Sequence, residues 1–421
     1  MTAPPPGSRP GSADGPRRWE PAGSRPPRPA GPRPGPPSTA RPAPSRRFFA
    51  AAHVVAAPAR GTAANTANTA PIGAASVTGT VGAAEQFGPV GPAAVDWDAT
   101  LAFRHHLWSR GLGVAEAMDT AQRGAGLDWP AAAELIRRSA AEAATTGGAL
   151  VCGAGTDQLT GPAGLPAIGR AYEEQLAHVE GCGARAVLLA SRALAATARS
   201  PEDYQEVYGE LLRQSERPVI LHWLGPAFDP ALRGYWGDDD PDRAAETLLA
   251  VVRAHPRKVD GVKISLLDPP REIAFRRRLP PGVRCYTGDD HHYPELIAGD
   301  EHGHSDALLG VLNPLAPLAA RALHALDTAG TGAFRAVLDP TLDLARHLFE
   351  PPTRYYKTGV VLLAWLAGHQ PRFTMLGGLH TARPPDHLAR AHRLADRLGL
   401  LPDPERAAAR MASLLTGEEP G

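Results

Sequence analysis

The chain has 421 residues, 43% of them hydrophobic, and carries 44 basic against 44 acidic side chains for a formal net charge of zero. That length and apolar content suit one large domain with additions or two domains, and the balanced charge gives nothing to steer the molecule to nucleic acid or an anionic membrane surface. No apolar run reaches 18 residues, so no membrane span is expected, and the N-terminus lacks the apolar core of a secretory signal. Cys152, Cys182 and Cys285 are far apart and show no CxxC spacing, which reads as reduced, buried thiols in a cytoplasmic protein.

Residues 1–45 are Pro, Gly, Ser, Ala and Arg with almost no aliphatic pattern. Such a segment buries too little surface to offset its ordering entropy and reads as a disordered tail. "RRFFAAAHVVA" (46–56) is a buried strand, and 57–93 is a long Ala/Gly/Thr loop without period. From residue 96 helices and strands alternate. "DWDATLAFRHHLWSRG" is a helix with Asp96 or Asp98 near its start, and "LGVAEAMDT" a strand. "DWPAAAELIRRSAAEAA" is a helix with Asp128 as cap and Pro130 in its first turn. "GALVCGAGT", "ARAVLLASR", "RPVILHWLG", "VDGVKISLLD" and "GVRCYTGDD" are strands with helices between them, and "SDALLGVLN" closes the series. Strands apolar on both faces and separated by helices argue for a parallel sheet. Eight such units over 46–315 fit a closed (β/α)8 barrel. An open doubly wound sheet is the competitor, although no GxGxxG follows the first strand. Residues 316–415 read as a helical C-terminal extension packed on the barrel.

The chain contains three lysines, Lys258, Lys263 and Lys357, and all its other cationic side chains are arginine. Lys263 lies inside an apolar strand. Two-residue alternation puts Val262, Ile264 and Leu266 on the helix-facing side and Gly261, Lys263 and Ser265 on the barrel side. Burial there lowers an amine's pKa by disfavouring the charged form. A neutral amine attacks carbonyls to form a Schiff base, which arginine, always protonated, cannot do. A buried Lys–Asp pair is the bland alternative.

The ordered series "MDTAQ", "GALVCGAGTDQLT", "GARAVLLASR", "RPVILHWLGPAFDP", "VDGVKISLLD", "YTGDD", "HSDALLGVLNPLAP" and "PTRYYKTGV" resembles the dihydrodipicolinate synthase/N-acetylneuraminate lyase family of class I aldolases, in a dihydrodipicolinate-synthase-like branch. The resemblance covers about two thirds of the chain. It implies a (β/α)8 barrel in which Lys263 forms an imine with a 2-oxo acid. It also implies that His222 stands where the family has its proton-shuttling tyrosine, a role an imidazole suits. Ala227 stands where synthases grip a second substrate's carboxylate with arginine. Thr120 stands for the first threonine of the family's carboxylate-binding loop, and Ala121 replaces the second. "SRALA" replaces the tyrosine pair after strand four. These departures argue against a pyruvate donor and a lysine-biosynthetic role.

Other candidates lie just after strands, where barrel active sites sit. Asp119, Thr120, Asp157, Ser191, Ser265, Asp289, Asp290 and His291 are candidate substrate contacts, and Arg192 is a candidate anion clamp. His53 points into the pocket or sits satisfied in the core. Lys357 reads as packing or rim. The favoured expectation is a Schiff-base lyase or aldolase on a 2-oxo acid or sugar-derived carbonyl compound. It is expected to need no cofactor, to bind no nucleic acid or membrane, and to be a cytoplasmic homo-oligomer. Two alternatives stay open: a metal-dependent barrel enzyme using Asp289, Asp290, His291, His302 and His304, and a non-catalytic barrel that binds a carbonyl metabolite.

Overall fold

Eight short strands hydrogen-bond in sequence order, all parallel, and the eighth returns to the first: β1 (Phe48–Ala51), β2 (Gly113–Glu116), β3 (Leu150–Ala154), β4 (Arg185–Leu188), β5 (Val219–Leu224), β6 (Val259–Ser265), β7 (Arg284–Thr287) and β8 (Asp306–Leu309). The closed (β/α)8 barrel read from the sequence is therefore present, and the open sheet is excluded. The computed structural model describes residues 1–2, 45–58 and 94–417. The elements belong to one compact unit, Pro44–Gly421; almost all of the other unit, Met1–Ala43, lies outside the described residues, as does 59–93. The expectations for the 1–45 tail and the 57–93 loop fall there.

Local signals explain the helices between strands. Helix α1 (Trp97–Ser109) begins at Asp96, whose carboxylate accepts from the Ala99 amide at 3.0 Å. Helix α2 (Trp129–Thr146) begins at Asp128, which accepts from Ala131 at 2.9 Å, with Pro130 in the first turn. Both caps satisfy backbone donors that a helix start leaves free. Helix α3 (Leu165–Gly181) precedes β4. A short helix not anticipated from the sequence, α4 (Arg192–Thr197), is capped by Ser191. Helix α5 (Pro201–Gln214) starts with a Ser200/Asp203 capping box. Helices α6 (Pro241–Ala254), α7 (Pro269–Arg276) and α8 (Tyr293–Ala298) complete the ring.

The C-terminal region is helical: α9 (Leu312–Leu338, kinked at Gly330), α10 (Leu342–Leu348), α11 (Tyr356–Leu366), α12 (Pro385–Arg397) and α13 (Pro404–Thr416). Every residue of α11 is buried. The "VVLLAWL" stretch is core of this region, packed with α9 and α12 residues such as Leu315, Leu388 and Leu394. Among the described residues no helix is long and apolar enough to cross a membrane. Cys152 and Cys285 are free and buried; Cys182, against expectation, is only half-buried at the end of α3.

The barrel interior carries its own apolar layer, including Phe49, Ala51, Ala115, Val151, Val187, Ile220, Tyr286 and Leu308. These are alternate residues of the strands, so Gly261, Lys263 and Ser265 fall on the same inward face of β6, as period-two reading requires.

Candidate active site

Lys263 sits two residues before the end of β6, with His222 of β5 and Tyr286 of β7 as its lateral neighbours. It is 8% exposed, and among the described residues no ion pair or hydrogen bond holds its ammonium. Burial lowers its pKa to about 8, against the pull of Asp290 and then Asp119 upward. Asp290 shows the converse. Burial raises its pKa, opposed by the Val311 amide at 2.9 Å and by Lys263. One buried environment thus brings an acid and a base toward equal proton affinity.

The space for the lysine comes from Gly288. A Cβ there would lie 2.8 Å from Lys263 Cε and 2.1 Å from Ser265 Oγ, so any side chain would displace both. The following turn is held from behind. Thr287 Oγ1 accepts from the Asp289 amide at 3.1 Å and donates to the buried Glu272, which also accepts from Ser305 at 2.7 Å. Burial pushes the Glu272 carboxyl up to about 8.

His222 is buried, with Nε2 3.1 Å from Ser265 Oγ. Burial, then the nearby Lys263 charge, drives its pKa well below the usual histidine range, so the ring is neutral at pH 7. A cavity of about 670 Å³ opens at the carboxyl ends of β2–β5, with His222 and Asp119 in its wall. Lys263 is not itself a wall residue; it lies one strand beyond His222.

The C-terminal region closes this cavity with Arg354, Tyr355 and Lys357. Lys357, read from the sequence as packing or rim, is a buried residue of the cavity wall. It is 3% exposed and donates to Asp119 at 3.0 Å and to the Arg354 carbonyl at 3.0 Å. Tyr356, given no role in the sequence reading, places its hydroxyl 2.6 Å from Thr120 Oγ1. Burial and then the Asp119 charge raise its pKa well above 10, so the phenol keeps its proton. Gly310 leaves room for the pair, since a Cβ there would be 2.8 Å from the Tyr356 ring. No local signal at 118–122 foretells a partner more than 230 residues away.

Asp157 lines the cavity but is held by Arg123, whose Nε lies 2.9 Å away, and by Gln175 at 3.0 Å. Arg192 lines it too, paired with Asp229 at 2.5 Å. Ser191 caps α4 and bonds Thr156 at 2.6 Å. Arg354 is different: no carboxylate pairs with it among the described residues, and its Nε is buried without a partner.

Other candidates are not assembled as expected. Asp289 is spent on its own turn, accepting from the His291 and His292 amides at 2.8 and 3.0 Å and contacting the His292 ring. His291 has a buried Nε2 without partner and is not a cavity-wall residue. His302 lies exposed beside Glu301, and Asp300 pairs with Arg276 and Arg277. Among the described residues the 289–306 set does not converge on one point, so the metal site read there is not formed. His53 is a core histidine, fully buried between Asn313 and Gln370.

A family model described as "Protein of unknown function (DUF993)" matches residues 63–418. The chain belongs to that family. No curated protein matches it by sequence. Solved structures share its fold. Dihydrodipicolinate synthase from Aquifex aeolicus aligns with TM-score 0.57 at 15% identity, over 75% of this chain and 96% of that one. The enzyme from Oceanobacillus iheyensis gives 0.58 at 13%, over 75% and 98%. A prophage protein of the dihydrodipicolinic acid synthase family from E. coli, solved with pyruvate, gives 0.57 at 16%, over 74% and 97%. The resemblance read from the sequence is thus matched in the fold.

Proposed function

We propose that this protein is a Schiff-base-forming lyase or aldolase acting on a 2-oxo acid or a sugar-derived carbonyl compound. The observation that carries the reading is Lys263: an unpaired amine in the barrel interior, with its pKa lowered by burial, beside a neutral imidazole. The amine nitrogen adds to the substrate's carbonyl carbon. The carbonyl oxygen takes up two protons and leaves as water, and a protonated C=N bond remains. That iminium accepts the electron pair released when a bond at the neighbouring carbon breaks. His222 takes the proton freed in that step. Asp290, whose charge acts on Lys263, is a further proton carrier.

The cavity's charges indicate what else the substrate carries. Asp119, Asp157 and Asp229 each face a basic partner, whereas among the described residues no carboxylate faces Arg354, whose Nη2 donates to the Tyr355 hydroxyl at 3.3 Å and whose Nε has no partner. An uncompensated guanidinium in a concave site suits a carboxylate or phosphate. A substrate with an anionic end at Arg354 and a carbonyl directed past His222 toward Lys263 fits both features.

The test is reduction with borohydride in the presence of pyruvate, longer 2-oxo acids and sugar-derived oxo acids, followed by peptide mass mapping. Expected is a substrate-sized mass on Lys263 alone. Binding to the cavity without any adduct would instead support the non-catalytic metabolite-binding barrel.

A further inference from the structure

His347 of α10, Glu350 in the turn that follows and His387 of α12 bring one donor atom each to within 4.8 Å of one another. The His347 and His387 rings face each other with centroids 4.0 Å apart. Glu350 lies between their Nδ1 atoms, 3.3 Å from His347 and 2.8 Å from His387. Both rings are almost fully buried, while the Glu350 side chain is 43% exposed.

The tautomer of His347 follows from its other contact. Its Nε2 lies 2.9 Å from the His387 carbonyl oxygen, which only accepts, so Nε2 carries a proton. In the neutral ring Nδ1 then presents a lone pair to the Glu350 carboxylate. Two lone pairs facing each other are repulsive, and either a proton on Nδ1 or a metal cation between the groups relieves it. A backbone carbonyl holding the far nitrogen is also the usual outer contact of a metal-bound histidine. His387 adds a second anomaly: its Nε2 is buried and has no partner, so all the polar interaction of that ring is directed to the same point.

We propose that His347, Glu350 and His387 bind a divalent transition-metal cation of the zinc type. Two imidazole nitrogens and one carboxylate suit zinc or its neighbours rather than magnesium or calcium, which prefer all-oxygen sets. Ligands at about 2.1 Å in tetrahedral array lie roughly 3.4 Å apart, against 3.3 and 2.8 Å for the two histidine–glutamate contacts and at most 4.8 Å across the set. The exposed side of Glu350 leaves the fourth position to water. The site ties α10 to α12 across a turn that Arg383 also grips, through the carbonyls of Glu350, Pro351 and Pro352. The chain leaving that turn carries Arg354 and Lys357 into the cavity wall. The cation therefore braces one wall of the cavity, and the inference does not depend on the chemistry assigned to Lys263.

The full-length chain, stripped with chelator, is titrated with zinc, cobalt(II) and magnesium and followed by calorimetry, thermal melting and visible absorption. Expected are one bound zinc, a higher melting temperature, tetrahedral cobalt bands, and no response to magnesium. Glu350→Gln and His387→Gln should each weaken zinc by at least about 100-fold, more than the loss of an outer-shell partner. Lack of zinc binding by the wild-type chain, or equal binding by both variants, overturns the proposal. The wild-type cobalt spectrum decides the matter alone if a variant misfolds: bands without nitrogen ligation also overturn it.

Discussion

At the amino end of the barrel Asp260 accepts from Arg185 at 2.7 Å, Arg47 at 3.2 Å and the Tyr286 phenol at 2.6 Å, and Asp306 accepts from Arg284 at 2.7 Å. At the carboxyl end Lys263, three residues further along the same strand, has no such partner. A register shift between β5 and β6 at Asp260 sets the two apart. The bulge turns that carboxylate toward the arginines, and regular alternation then carries Lys263 inward. Paired charge closes one end of the barrel. Unpaired charge at the other end pays in desolvation, and the outcome is an amine and a carboxyl of shifted proton affinity. The two ends of the barrel thus differ in the partners their charges have.

Substitutions sharpen this contrast. Lys263→Met should abolish borohydride trapping and lower any lyase activity at least about a thousandfold, as expected for loss of a covalent nucleophile; intact-mass measurement after reduction checks it. His222→Gln should cost about 10²–10⁴ in turnover, the usual worth of a positioned proton carrier, while an adduct on Lys263 still forms. Asp260→Asn should lower stability by about 1 kcal/mol, because the partly exposed Arg47 and Arg185 lose their carboxylate, and leave trapping unchanged. Denaturant melts and mass spectrometry read the two effects separately. An Asp260 variant that loses trapping at unchanged stability would break the distinction between the two ends.

The smallest effect concerns pH. Ionised Asp290 raises the Lys263 pKa, so Asp290→Asn should move the midpoint of cyanoborohydride trapping below about 8. Stability offers a second reading of the same group. The folded carboxyl holds its proton far above the ordinary value of about 3.9, whereas the unfolded one releases it there. The unfolded state thus binds fewer protons in between, and the wild-type chain loses stability as pH rises through that window. The Asn variant should show a flatter profile.

Much of this was legible in the sequence. Capping residues Asp96 and Asp128 marked helix starts, and alternation placed Lys263 inward with Ser265. What was hidden depends on contacts between distant segments. Lys357 with Asp119, and Tyr356 with Thr120, meet only because α11 folds back over the barrel mouth. The dense "GDDHHYPEL" and "DEHGHSD" stretches looked like a ligand set, but β-turn and helix geometry spent Asp289 on its own turn and Asp300 on two arginines. The cluster that does converge, His347 with Glu350 and His387, draws on helices forty residues apart in sequence.

The central claim, that burial lowers the proton affinity of Lys263, can be measured directly because the chain has only three lysines. Lysine labelled with ¹³C at Cε gives three resonances to follow against pH by NMR. The account predicts one resonance titrating near 8 and absent from Lys263→Met. If all three lysines hold their protons to about 10, the ordinary value, the amine at the barrel's carboxyl end is an ordinary ammonium and the proposed chemistry fails.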